Sequence, residues 1–390
     1  MDAYIVKGYR TAVGKANRGG FRFTRPDDLA AHVIKELVNS LEGFDPKQVD
    51  DLIVGNAVPE AEQGMQMARM IALLSLPIEV PGVTVNRYCG SGLEAIAIAS
   101  QRIHAGMADC IIAGGTESMS LVPVMGFKTA LNYQIATNNP TYYTSMGLTA
   151  EQVAEQYGIS RDDQDEFSLG SHEKALAAIE SKKFAEEIVP YPVKETFVNA
   201  KGKRETKEYL VDTDEGPRKG TSIEALGKLR PAFAKGGSVT AGNSSQTSDG
   251  AAFVMVVSED FLKKNNLTPI GRMVSYSVAG VEPRIMGIGP INAVPKALAK
   301  ADKNLSEIDL VELNEAFAAQ SLAVIRNLDL DQEKLNVNGG AIALGHPLGC
   351  TGARLSIGIL NELKRQDKKY GLVTACVGGG QGVAGVFERL

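Results

Sequence analysis

The chain has 390 residues, 44% of them hydrophobic and 22% charged, with a formal net charge of −5 at pH 7. That length accommodates two core-forming units or one large duplicated one, and the composition is that of an ordinary globular protein. The negative balance argues against non-specific nucleic-acid binding; four cysteines without a CxxC pair give neither a disulfide framework nor a zinc site; and no window approaches the ~18 uninterrupted apolar residues of a membrane span.

In chain order, Ala3-Tyr4-Ile5-Val6 reads as a strand with no basic start and no long apolar core, unlike a secretory signal. A reducing cytoplasm, where a free thiol persists, fits this best. A helix is expected over roughly 26–42. The apolar run ending at Val85-Asn86 leads into Arg87-Tyr88-Cys89-Gly90-Ser91-Gly92, after which Leu93, Ile96, Ala97, Ile103 and Met107 recur at helical spacing. Cys89 therefore stands on a strand-to-helix turn. A helix start favours thiolate over thiol, and Gly90 and Gly92 would let backbone N–H groups approach an anion beside the sulfur. A lone cysteine there is equally compatible with a small buried residue, so the reading needs support from elsewhere.

Residues 118–247 are richer in polar and charged residues, with helical patterns at 150–157 and 161–184. This stretch reads as an insertion, the kind of loop region that carries substrate contacts, and its mixed charges over 194–207 read as a solvated face. A further helix is expected over 293–303.

The second half repeats the first. Val49 to Val58 aligns with Ile308 to Phe317, Val85-Asn86 with Val337-Asn338, and Ile111 to Gly115 with the strand that runs through Thr374-Ala375-Cys376 into glycines. Three matches in the same order indicate an internal duplication, and the alternation of strands and helices indicates right-handed crossovers with sheets covered by helices. His346 lies in Gly345-His346-Pro347, a tightly turned loop, and its near-neutral pKa suits it to accept a thiol proton. His32, His104 and His172 sit in helical patterns and read as surface or packing residues; Cys110 and Cys350 read as structural. Cys89, His346 and Cys376, each on a glycine-rich turn, have the composition of a nucleophile, a general base and a second acid/base.

These segments together resemble the thiolase family, from Arg10-Thr11-Ala12-Val13-Gly14-Lys15 through the Cys89 turn, Asn314-Glu315-Ala316-Phe317 and the His346 loop to Cys376-Val377-Gly378-Gly379. The resemblance implies an α/β fold: two duplicated βαβαβαββ halves in a five-layer αβαβα sandwich with an inserted loop domain. It places the N-terminal half at 1–117 plus 248–268, the coenzyme A-binding insertion at 118–247 and the C-terminal half at 269–390. It implies Cys89 as acyl acceptor, His346 as its base, Cys376 as the group that handles the α-carbon proton, and Asn314 as the holder of a water in one oxyanion site. The backbone N–H groups of Cys89 and Gly378 form the other. Arg218, Phe233, Ala241 and Ser245 would line the coenzyme A channel, with Met146 and Phe317 beside the thioester. Coenzyme A is then a co-substrate, no cofactor is bound permanently and no metal is required. The expected partners are acyl-CoA thioesters, a second copy or a tetramer of this chain, and a hydratase/dehydrogenase of β-oxidation.

Short-chain acetoacetyl-CoA thiolases carry His-Met-Gly where this chain has Ser145-Met146-Gly147, and Asn243 to Gly250 is similar to degradative members. The resemblance therefore points to cleavage of 3-ketoacyl-CoA by coenzyme A in fatty-acid β-oxidation, the alternative being condensation of two acetyl-CoA. A non-catalytic acyl-CoA carrier would be expected to lack one of the three central residues, and all are present.

Overall fold

The computed structural model describes residues 2–390. Its strands are β1 (Ala3–Arg10), β2 (Gly14–Lys15), β3 (Asp51–Gly55), β4 (Gly82–Val85), β5 (Cys110–Ser118), β6 (Tyr191–Val198), β7 (Arg204–Val211), β8 (Ser248–Ser258), β9 (Gly271–Gly280), β10 (Leu310–Leu313), β11 (Tyr370–Val377) and β12 (Gln381–Arg389). The first half orders its strands β4-β3-β5-β8-β1 with β2 on β8, the second β9-β12-β11-β10, and the two meet where Ile5 faces Gly271. The β3–β4, β3–β5 and β10–β11 pairs are parallel, so each needs a crossover helix.

Side-chain alternation along the strands divides the molecule into layers. Ala252, Val254 and Val256 of β8 join one apolar cluster with Val373, Ala375 and Val377 of β11 and with the helices Ser91–His104 and Leu348–Arg365. The intervening Phe253, Met255 and Val257 face the helices Pro26–Asn39 and Met67–Ser75. On the far side Leu372, Ala384 and Val386 pack on Gly289–Lys300 and Ala318–Leu328. Helix, sheet, helix, sheet, helix: the five layers of the αβαβα sandwich share a central pair of helices. Those two approach closely at glycines. A Cβ on Gly352 would stand 2.2 Å from the Leu93 nitrogen, and one on Gly92 2.8 Å from the Ala353 nitrogen. Gly92 therefore serves helix packing, and Gly90 backs onto Val377 and Val383.

The duplication is visible in detail. Asp50 Oδ2 accepts from the backbone N–H groups of Asp109 and Cys110 at 2.7 and 3.0 Å, and Asp309 Oδ2 from those of Lys369 and Tyr370 at 3.0 and 2.8 Å. Each half thus pins the start of its long parallel strand with one carboxylate. The second half's counterpart of β4 is reduced to a parallel bridge between Val311 and Leu335.

Element ends differ from the sequence reading where local stops win. The first helix closes at Asn39 ahead of Gly43 at φ +72°, and the central one at His104, leaving Met107 exposed beyond Gly106 at φ +70°. The helix expected from Ala293 already starts at Gly289, with Pro290 in its first turn, and those of the insertion run Met146–Gln156 and Arg161–Glu180. The charged stretch 194–207 lies on the solvated β6–β7 hairpin, where Lys194 pairs with Glu208 at 2.8 Å.

Between β5 and β8 the chain lays this hairpin and these helices against the layers, tied down by Arg10. Its fully buried guanidinium meets Glu187 at 2.8 Å and Asp214 at 2.7 and 2.9 Å, and its charge is held by both carboxylates against desolvation. Arg10→Met is expected to cost about 3–5 kcal/mol, because two buried carboxylates lose their partner. Urea unfolding measures it; a loss within about 1 kcal/mol would show that water reaches the pair.

Candidate active site

Val85 ends β4, Tyr88 to Gly90 make a single 3₁₀ turn, and the helix begins at Ser91. Asn86 Oδ1 accepts from Tyr88 N–H at 2.8 Å, Ser91 Oγ accepts from Arg87 N–H at 2.8 Å and donates to Tyr88 O at 2.7 Å. These bonds hold Tyr88 at φ +42°, an uncommon conformation for an aromatic residue. Cys89 follows, a half-buried residue whose sulfur is enclosed and receives the N–H groups of Gly378 and of Cys89 itself. Burial nevertheless dominates and pushes the thiol up to about 11, with the Glu117 carboxylate adding to the rise. The thiolate expected from the helix start is therefore not the resting form: two N–H donors do not offset the lost hydration.

The His346 loop turns at Gly345, φ +101°, where a Cβ would stand 2.3 Å from Ser248 Oγ. The imidazole is buried, which brings it down to about 3 with Arg354 assisting, so the ring is neutral. Its tautomer follows from its neighbours. Thr351 Oγ1 donates to Pro347 O at 2.9 Å, so at 2.6 Å it accepts from His346 Nδ1–H. That leaves Nε2 unprotonated, 3.2 Å from the Asn314 side-chain amide, which donates to it. Asn314 extends from β10, and its Oδ1 is buried without a hydrogen bond, an acceptor directed into the site. The adjacent Glu315 accepts from Ser171 Oγ at 2.6 Å, Asn336 Nδ2 at 2.8 Å and Ile342 N–H at 3.2 Å, joining the insertion, the end of β10 and the His346 loop.

Cys376 lies near the end of β11, before the turn Gly378-Gly379-Gly380, whose last two residues take φ +79° and +83°. It is fully buried, and burial together with the nearby Cys89 charge drives its thiol well above the ordinary range. Met146, Met286, Ala316 and Phe317 pack around it, and Phe233 stands edge-on to Phe317 at 6.1 Å. Ser245 N–H donates to Ala316 O at 2.9 Å, while Ala241 is exposed two residues beyond Val239 of the same cluster. Arg218 stands apart on the surface beside Lys15 and His172. Its N–H donates to His172 Nδ1 at 3.3 Å, and burial and both cations bring that imidazole down to about 4.

Three residues at the site escaped the sequence reading. Met286 belongs to no motif and enters through packing alone. Tyr88 stands out in the sequence only as a neighbour of Cys89. Glu117 had a readable signal, an acid closing an apolar strand; it accepts from Ala57 N–H and Gly349 N–H at 2.8 Å each and from Gln63 at 2.7 Å, tying β5 to the helix behind His346. Among the described residues no group of three His, Cys, Asp or Glu side chains is arranged to hold a metal, and no helix is long and apolar enough to cross a membrane.

A cysteine on a strand-to-helix turn, a neutral buried histidine and a second cysteine, assembled from two copies of one layered unit, define a thiol-dependent acyltransferase architecture. The thiolase N-terminal domain profile matches residues 3–260 and the thiolase C-terminal domain profile residues 267–389. The chain belongs to the thiolase family, and as such is an acyltransferase. It is 52% identical over 388 residues to the 3-ketoacyl-CoA thiolase of Bacillus subtilis (strain 168), covering 99% of each chain. It is 46% identical over 403 residues to the acetyl-CoA acetyltransferase of Escherichia coli (strain K12), covering 100% of this chain and 99% of that one. Its structure matches the crystal structures of the Bacillus anthracis acetyl-CoA acetyltransferase (TM-score 0.90, 42% identity) and the human mitochondrial 3-ketoacyl-CoA thiolase (TM-score 0.89, 39% identity), each over 100% of this chain and 99% of the other.

Proposed function

We propose that this protein cleaves 3-ketoacyl-CoA with coenzyme A, giving acetyl-CoA and an acyl-CoA shortened by two carbons, in the degradative direction. The observations that carry the reading are the unprotonated Nε2 of a neutral, buried His346 and two thiols, Cys89 and Cys376, close enough that the charge of one shifts the other. His346 takes the Cys89 proton as the sulfur attacks the keto carbon, and the bond between the α- and β-carbons breaks. Cys376 protonates the departing acetyl-CoA enolate at carbon, leaving acyl-Cys89. Coenzyme A then attacks that thioester, and its thiol proton returns through His346 or Cys376 to the enzyme. Cys89 N–H and Gly378 N–H stabilise the oxyanion on the acyl carbon; a water held by Asn314 Oδ1, with His346, stabilises the enolate oxygen. This is two-step covalent catalysis with ping-pong kinetics.

The insertion 118–247 is assigned to coenzyme A, with Arg218, Phe233, Ala241 and Ser245 along the channel and Met146 and Phe317 at the thioester. Residues 1–117 with 248–268, and 269–390, are the two halves. Support for longer acyl chains comes from the exposed Met125, Phe127, Leu131, Tyr133 and Tyr142 of the insertion, and from Ser145, which stands before a helix without a side-chain cap bond where acetoacetyl-specific members carry histidine. Self-association into dimers, or dimers of dimers, is supported by β4, an edge strand flanked by the exposed Met65, Leu73, Leu74 and Ile78. A reducing compartment, the cytoplasm, suits neighbouring free thiols, and a β-oxidation hydratase/dehydrogenase would supply the substrate.

Coenzyme A-dependent cleavage of acetoacetyl-CoA and of medium- and long-chain homologues tests the reading. Activity rising with chain length is expected. Activity confined to acetoacetyl-CoA would assign the acetyl-CoA acetyltransferase role that one relative's name carries, and silence on every length in folded protein would favour a carrier.

A further inference from the structure

The turn that carries Cys89, before the central helix Ser91–His104, and the three-glycine turn between β11 and β12 belong to different halves of the chain and meet where Gly378 stands against the Tyr88 ring; on the reading above each supplies one N–H to the oxyanion. That glycine turn has no side chain of its own to fix where Gly378 N–H stands. An oxyanion site works only if both donors lie about 2.7–3.1 Å from the oxygen that becomes negative. One chain of polar contacts spans the gap. Arg87, two residues before Cys89, directs Nε and Nη2 to Glu94 on the following helix and donates from Nη1 to Gln381 Oε1 at 2.9 Å. Gln381 faces Val377 across the hairpin, and its Nε2 donates to Gly378 O at 3.4 Å. The Tyr276 hydroxyl of β9 donates to Glu94 and steadies the other end.

We propose that Arg87 and Gln381 are positioning residues that set the separation of the Cys89 and Gly378 N–H donors, and thereby the fit of the oxyanion site. The inference rests on the thiolysis reading above. It is tested with Arg87→Met, Gln381→Leu, the double variant and Gln381→Glu, which keeps an acceptor for Arg87 but has no N–H for Gly378 O. For each, the rate of acetyl-CoA release in a single turnover, KM, the thermal midpoint and alkylation of Cys89 by iodoacetamide are measured. Acylation in each single variant is expected to fall about tenfold with KM nearly unchanged, less than the ~10²–10³-fold loss for deleting an oxyanion donor outright. The double variant should lose no more than the worse single one, because the contacts act as one chain. Alkylation should fall less than acylation, since the same N–H groups meet the sulfur but no carbonyl oxyanion develops. Independent, multiplying losses, a fully active Gln381→Glu, or alkylation and thermal midpoint falling in step with acylation would each overturn the inference while leaving the thiolase reading intact. An unaltered protein that releases no acetyl-CoA would overturn both.

Discussion

Cys89→Ala is expected to abolish the acyl-enzyme and lower thiolysis by on the order of 10⁴-fold or more. Cys376 cannot replace it, being fully buried within an apolar cluster. Quenched-reaction mass spectrometry on intact protein reads the adduct directly, and substantial residual thiolysis would remove Cys89 from the role. The resting thiol has a further consequence. Burial pushes the thiol up to about 11 and brings the His346 imidazole down to about 3, which favours the neutral thiol and neutral imidazole in the free enzyme. The thiolate fraction falls about tenfold per pH unit below the pKa, so iodoacetamide alkylation of Cys89 should keep rising from pH 7 to 10. A plateau by pH 7 would show that the helix start outweighs burial. Proton transfer to His346 must then accompany attack on the substrate rather than precede it.

Cys376→Ala carries the second large effect, a loss of about 10²–10⁴-fold in thiolysis with Cys89 still open to alkylation. Burial and the negative form of Cys89 both hold the Cys376 thiol protonated, the state an acid needs when the enolate departs. Alanine keeps the apolar packing around Met146, Met286 and Phe317 nearly filled, so the loss should be chemical. Parallel rates of thiolysis and alkylation decide this. Unreactive Cys89 in the variant would make Cys376 structural, and undiminished thiolysis would assign the proton to another donor.

The fold was legible where pattern is local or repeated. Strands with period two, helices at helical spacing and three ordered repeats give the layers, and glycine-flanked Cys89, His346 and Cys376 each stand at or beside a turn. What escaped was set by tertiary context. Gly92 next to a nucleophile looks like an anion contact, and only the position of Gly352 on the partner helix shows that it serves packing. The thiolate expectation failed for the same reason, since helix position is written in sequence and desolvation is not. Arg87 and Gln381 lie almost three hundred residues apart and meet only because the two halves pack against each other.

The crossing of the two central helices at Gly92 and Gly352 also orders events during synthesis. A growing chain carries Cys89 early, but the helix packed against its turn, His346 and Gly378 all arrive in the last tenth or so of 390 residues. Until then Cys89 is an ordinary solvated thiol, ionising near the usual cysteine value and open to any oxidant or electrophile. Completion of the polypeptide quiets that sulfur as well as assembling its partners. Truncation near the C-terminus would thus release a more easily modified cysteine together with an inactive protein.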